Sequence, residues 1–258
     1  MSQDANRATT IAAVVTELDV PPATASLIVA SFETYLASPL TANFAALSGR
    51  KLAKRNPMIY TARGVTSVSE WVRRVLDDKE TSAIESHLGT WLEEVARIVS
   101  GGFKPGGGVD LQRDQPGSPH VIELYAIQSA NNTKSAGGRN SDVVALRRGA
   151  AALRASRRRV EMYIGVLGGR ATTAALGSDP NIVILGSDDF WERISGKRDF
   201  RARLLKATTI LSPLVQQRAA THAARIAREA EAVFGDGRGN LDYDKLADPP
   251  SGRLRRSV

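Results

Sequence analysis

The residues best suited to chemistry lie in one stretch, Gly108-Val-Asp110-Leu-Gln followed some ten residues later by Ile122-Glu-Leu-Tyr-Ala-Ile-Gln128-Ser. This reads as an acidic residue on a short strand, a hairpin, and a buried strand ending in a polar side chain. A carboxylate so placed can hold a hard divalent cation through oxygen. A polar group at the end of the next strand can face the same ion and position a water. Phosphodiester cleavage needs this arrangement, because a metal lowers the pKa of water and neutralises charge developing on phosphate. An aspartate before a strand is equally a common turn residue.

Other chemistries lack their residues. The chain has no cysteine, which removes thiolate nucleophiles and Cys-ligated zinc, and its three histidines, His87, His120 and His222, lack metal-ligand spacing. Gly165-Val-Leu-Gly168-Gly169 fits neither a Walker A loop nor a dinucleotide fingerprint and reads as a turn after a buried strand. Gly-Xaa-Ser-Xaa-Gly is missing too, so a serine hydrolase is unsupported. The 258 residues carry 35 Lys and Arg against 27 Asp and Glu, a net charge of +8, which suits a polyanionic partner but is also compatible with an interaction module whose charge is incidental. At 42% hydrophobic and 24% charged the composition is globular. Charged residues interrupt Met1 to Val20, and no apolar run reaches about 18 residues, so neither a signal peptide nor a membrane span is expected and a cytoplasmic location is.

The elements that must position these residues are legible from periodicity. Residues 8–48 read as two helices broken at Pro21-Pro22, and residues 67–78 as a short helix capped by Ser67 with Glu70 three residues on. Ser82–Ser100 carries the apolar stripe Ile84, Leu88, Trp91, Leu92, Val95 and Ile98, and Gly101-Gly102 ends it. Buried strands are expected at 121–127, 160–167 and 181–185, with a polar loop over 128–141 and a helix from about Asp142 to Arg157. From Asp199 the chain reads as helical, broken at Pro213 and ended near Gly235, with a polar, frayed tail. Phe190-Trp191 reads as core. The order implies an α/β core wrapped by helices.

The blocks Glu85-Ser-His-Leu-Gly89-Thr-Trp-Leu92-Glu93-Glu-Val-Ala96, Gly108-Val-Asp110, and Tyr125-Ala-Ile-Gln128-Ser129-Ala-Asn-Asn132-Thr133 resemble bacterial type II restriction endonucleases of the PD-(D/E)xK nuclease superfamily. Gly165-Val-Leu-Gly168-Gly-Arg, Ile184-Leu-Gly186-Ser-Asp-Asp-Phe190-Trp191-Glu-Arg-Ile-Ser-Gly196 and Arg55-Asn56-Pro57-Met-Ile-Tyr60 are similar to further blocks. The resemblance covers roughly residues 50–210. It implies a mixed central α/β sheet of the PD-(D/E)xK type surrounded by helices, with helical N- and C-terminal segments. A single nuclease domain over 1–258 follows, with a helical part (1–80), a catalytic core (81–198), C-terminal helices (199–235) and a tail (236–258).

Carried over by residue, the resemblance makes Asp110 the central metal-binding aspartate and Glu93 an acidic residue on the helix before the catalytic hairpin. Gln128 stands where the family has lysine, and a glutamine can hydrogen-bond a water but carries no charge. Position 126 is alanine, so the second carboxylate must be Glu93 or Glu123; strand alternation puts Glu123 on the face opposite Gln128 and favours Glu93. Glu94 sits beside Glu93, and only one of the two can face inward. Asp110 and Glu93, with a carbonyl near Ile127, would bind Mg2+, and Gln128 would position the water. Asn131, Asn132, Thr133, Lys134, Arg139 and Asn140 are candidate DNA contacts, or a solvated loop. Arg147, Ala151, Arg154 and Arg158 are read as one helix face suited to a DNA backbone. The implied function is Mg2+-dependent, sequence-specific cleavage of double-stranded DNA by a homodimer, with a cognate methyltransferase protecting the host. The missing lysine leaves a catalytically inactive DNA-binding protein of the same fold as the alternative.

Overall fold

The computed structural model describes residues 3–52, 57–129, 136–169 and 172–247. In chain order these form α1 (Gln3–Leu18), α2 (Pro22–Phe32), a π-helical turn (Glu33–Ala37), α3 (Ser38–Ala45), α4 (Gly49–Leu52), α5 (Pro57–Thr61) and α6 (Val68–Ser100). There follow β1 (Leu111–Gln115), β2 (Ser118–Gln128), α7 (Ala136–Arg154), β3 (Arg159–Val166), β4 (Ala174–Leu176) and β5 (Asp179–Leu185). Helices α8 (Ser187–Ser195), α9 (Phe200–Leu211), α10 (Pro213–Phe234) and α11 (Tyr243–Ala247) complete the order. The chain divides into two compact units, one of Met1–Phe32 and Leu88–Leu211, the other of Glu33–His87 and Ser212–Val258.

The first unit holds a five-stranded mixed sheet in the order β1-β2-β3-β5-β4. The hairpin β1–β2 is antiparallel, β2–β3 and β3–β5 are parallel, and β4 returns antiparallel to β5. Parallel neighbours require a crossover, which α7 supplies between β2 and β3. The near-continuous apolar run of β2 is explained by cover on both faces. One face carries Ile122, Leu124 and Ala126, which with Met162, Ile164 and Ile182 meet Val143, Leu146 and Ala150 of α7. On the other, Tyr125 stacks on Tyr163 with ring centres 5.1 Å apart and meets Phe190 of α8 edge-on at 6.0 Å. Gly165 is required there, since a Cβ would lie 2.4 Å from the Phe190 ring. Phe190 and Trp191 are core residues, as their composition suggested.

The second unit is helical. Arg225 of α10 donates to the Leu47 carbonyl at 2.9 Å, Glu229 accepts from the Gly49 amide at 3.0 Å, and Trp71 meets Phe234 edge-on at 5.3 Å. Among the described residues no single helix is long and apolar enough to cross a membrane.

Four sequence expectations change. The helices expected at 67–78 and 82–100 are one helix, α6, opened as anticipated by Ser67, whose Oγ accepts from the Glu70 amide at 3.3 Å. Asp78-Lys-Glu-Thr81 interrupts the apolar stripe without containing a helix breaker, so the hydrophobic pattern stops while the helix does not. Helix α7 begins at Ala136 rather than near Asp142: Gly137-Gly138 falls in a first turn, where amides have no intrahelical partner to lose. At its other end α7 stops at Arg154, and Arg157 turns the chain at φ 59°. Arg158 therefore leaves the expected arginine face and instead holds Asp114 and the Pro119 carbonyl. Finally, the expected frayed tail is ordered through Ala247, because Leu241 and Leu246 are buried and the Leu241 amide donates to Thr66 O at 2.8 Å.

Candidate active site

The site is built where α6 ends and the β1–β2 hairpin begins, within the first unit. Gly101 ends α6 in the left-handed conformation, φ 66°. Gly102 then passes so close to the hairpin that a Cβ would meet Leu111 Cδ1 at 2.5 Å and Gln112 O at 2.6 Å. Phe103 and Gln112 exchange both main-chain hydrogen bonds, at 2.9 and 2.8 Å. This pairing fixes the next residue, Lys104, alongside Asp110.

Asp110 is held on three sides. Its amide donates to Tyr125 O at 2.9 Å, and its Oδ2 accepts from the Ile127 amide at 2.8 Å. Its other oxygen, Oδ1, lies 3.3 Å from Lys104 Nζ, and the same ammonium lies 3.8 Å from Glu93 Oε2. Thus one cation touches both carboxylates. The Glu93 and Asp110 side chains are 33% and 19% exposed and that of Lys104 is 58% exposed, so the group is open to solvent. One turn before Glu93, Gly89 lies against Ser129, with a Cβ 3.8 Å from that side chain, which brings α6 to the end of β2. Glu94 turns the other way and pairs with Arg97, whose Nε donates at 2.8 Å.

Gln128 and Glu123 are placed elsewhere. Gln128 is buried, and its Nε2 donates to Asp142 Oδ2 of α7 at 2.9 Å. Its carbonyl accepts from the Leu167 amide at 2.8 Å. Glu123 is 1% exposed and its carboxylate is saturated. Arg113 Nε lies 2.6 Å from Oε2, the Tyr125 hydroxyl donates to the same oxygen at 2.5 Å, and Arg193 reaches Oε1 at 2.5 Å. Arg193 also covers the Tyr163 ring at 4.3 Å. Burial pushes the Tyr125 and Tyr163 hydroxyls well above the ordinary phenol range, so both stay neutral and serve as donors. Among the described residues no three His, Cys, Asp or Glu side chains converge on one point.

Asn131, Asn132, Thr133 and Lys134 lie outside the described residues. Arg139 and Asn140, expected in the loop, belong to α7, and Asn140 is exposed. Arg147 projects from α7 with 57% of its side chain exposed, while its Nε donates to Asp179 Oδ2 at 2.9 Å. The Asn181 amide and then Arg147 hold the Asp179 carboxyl below its usual pKa. The residue that sequence reasoning missed is Lys104. Its signal was the glycine pair that stops α6 six residues before Gly108 and forces the chain back along the hairpin.

Type II restriction endonuclease EcoO109I is the family whose model matches this chain, over residues 38–217. No curated protein matches. The match takes in α6, the hairpin and the whole sheet, which are the elements that bring Glu93, Lys104 and Asp110 together. By this match the chain belongs to the EcoO109I family of type II restriction endonucleases.

Proposed function

We propose that the protein is a Mg2+-dependent endonuclease of the PD-(D/E)xK type that cuts both strands of a specific double-stranded DNA site. The observation that carries this reading is the convergence of Asp110 and Glu93 on a single cation. Lys104 Nζ lies between carboxylate oxygens from two elements, 3.3 Å from Asp110 Oδ1 and 3.8 Å from Glu93 Oε2. Mg2+ is commonly bound by one or two carboxylates, with waters and substrate phosphate completing its shell, so this pair suits it. Bound there, the ion would supply charge neutralisation at phosphate and a more acidic water. Asp110 is oriented for that task by the Ile127 amide, which occupies one oxygen and leaves the other toward Glu93. Glu123, spent on Arg113, Tyr125 and Arg193, is left out of the metal site.

Gln128 takes a different part from the one its position suggests. Its amide is committed to Asp142, so it ties β2 to α7 beside the DNA-facing candidates Asn140 and Arg147. A homodimer with one centre per strand suits two-fold symmetric sites. The test is Asp110→Ala, expected to stop cleavage of phage DNA while retaining its gel shift at low salt; unimpaired cleavage would remove Asp110 from the site.

A second reading, a DNA-binding protein without catalysis, is favoured by Ala126 and by the engagement of Gln128 with Asp142. Wild-type protein that shifts but never cuts DNA, together with a Gln128→Lys variant that gains cleavage, would establish it.

A further inference from the structure

We infer that Lys104 is the catalytic lysine of this centre and supplies the positive charge that Gln128 does not; the inference rests on the nuclease reading above. Position 128, at the end of β2, is neutral, buried and bonded to Asp142. Lys104 comes from the opposite direction, out of the turn between α6 and β1, and its ammonium lies against both site carboxylates. Its main chain is fixed next door by the Phe103–Gln112 pair and by the tight passage at Gly102. Its side chain stays largely in solvent, where an incoming phosphate would lie.

As a stabilising contact Lys104 is an ordinary surface ion pair, and only its position between two carboxylates distinguishes it. A solvent-exposed pair contributes at most about 1 kcal/mol, so the contact is a poor stability device. It is also shared between carboxylates of different elements, Glu93 on α6 and Asp110 before β1, so the charge sits at the centre of the group rather than on its rim. A divalent ion held by Asp110 and Glu93 would displace the ammonium from those oxygens and leave its donors available to a phosphate at the same site.

In the reaction, the oxygen of water forms a bond to phosphorus and one ester P–O bond breaks. The water proton passes to solvent, and the departing sugar oxygen ends protonated. Lys104 stays protonated throughout, donating to a non-bridging phosphate oxygen whose negative charge grows in the transition state.

The absence of cysteine makes a clean test, since Lys104→Cys introduces the chain's single thiol. Single-turnover cleavage of a sequenced phage DNA is measured for the wild type, for K104C, and for K104C alkylated with 2-bromoethylamine or with iodoacetamide. Binding of Mn2+ without DNA is followed in parallel for the wild type, K104C and Asp110→Ala, as are their thermal melts. Loss of one preorganised donor to developing charge lowers rates by about 10²- to 10³-fold, the drop expected for K104C. Aminoethylation, which restores the ammonium, should recover most of the rate, whereas the neutral carbamidomethyl group should recover none. K104C should melt like the wild type and bind Mn2+ at least as tightly, having lost a competing cation, while Asp110→Ala loses the ion. Wild-type rates in K104C, or equal rates after the two alkylations, would overturn the inference and leave the nuclease reading standing. Loss of Mn2+ binding in K104C would overturn it too, by showing that the lysine only arranges the carboxylates. A wild type that cuts no DNA would bring down the nuclease reading itself.

Discussion

The β1–β2 hairpin and its neighbours carry two carboxylate clusters, built in opposite ways. Around Glu123, two arginines and a tyrosine hydroxyl saturate a carboxylate that is almost sealed from water. Arg113 is further anchored through the carbonyls of Arg193 and Ile194 at 2.9 and 3.1 Å. Around Asp110, one flexible ammonium serves two carboxylates at 3.3 and 3.8 Å, and every member keeps contact with solvent. A buried charge with several donors is costly to strip of a partner, whereas a carboxylate pair in contact with solvent is accessible to an incoming cation. The difference between the clusters therefore lies in whether water reaches the carboxylates: Glu123 is 1% exposed, Asp110 19% and Glu93 33%.

Removing a partner from each cluster should separate the two roles. The largest expected effect is on folding: Arg113→Met leaves Glu123 short of a buried partner and should lower the unfolding free energy by about 3–5 kcal/mol, read from urea melts. A loss below about 1 kcal/mol would mean that the sealed cluster is not structural. In the open cluster, Asp110→Ala should cut the cleavage rate roughly 10³-fold, about 4 kcal/mol of transition-state stabilisation, and lower stability by about 1–3 kcal/mol through the lost bond from the Ile127 amide. Glu93→Gln keeps shape and removes charge, so a smaller drop of about 10²-fold is expected, partly recovered at higher Mg2+ concentration. A mutant insensitive to Mg2+ would place the second ligand elsewhere.

Two further substitutions have smaller effects. Gln128→Leu deletes the bond to Asp142 and should cost about 1–3 kcal/mol of stability, with a cleavage rate per folded molecule close to wild type. A rate that collapses without a stability change would return the water-positioning role to Gln128. Smallest of all, Arg147→Ala breaks a mostly exposed pair with Asp179 and should change stability by no more than about 1 kcal/mol. It should also weaken DNA binding and flatten its salt dependence slightly, which a titration at several salt concentrations would detect.

The local parts of this arrangement were legible in the sequence. The hairpin, the apolar course of β2, the cap at Ser67 and the glycines that end α6 follow from short-range pattern, as does the placing of Glu123 and Gln128 on opposite faces of one strand. Sequence distance hid the rest. Lys104 meets Glu93 and Asp110 only because Gly102 lets the chain double back against Leu111, a close approach that no periodicity records. Gln128 finds its partner on a helix that begins at Ala136, ahead of the expected start near Asp142, because Gly137-Gly138 is tolerated in a first turn. The continuity of α6 is hidden for a different reason: in sequence, a polar interval on a helix surface looks the same as a boundary.

If Asp110 and Glu93 hold a catalytic metal as proposed, DNA cleavage requires both the ion and Asp110. The most direct measurement is digestion of a large, fully sequenced phage DNA by wild-type protein and by Asp110→Ala, each with Mg2+ and with chelator. Discrete fragments are expected from the wild type with Mg2+ alone. The same fragments in chelator, or from Asp110→Ala, would contradict that requirement.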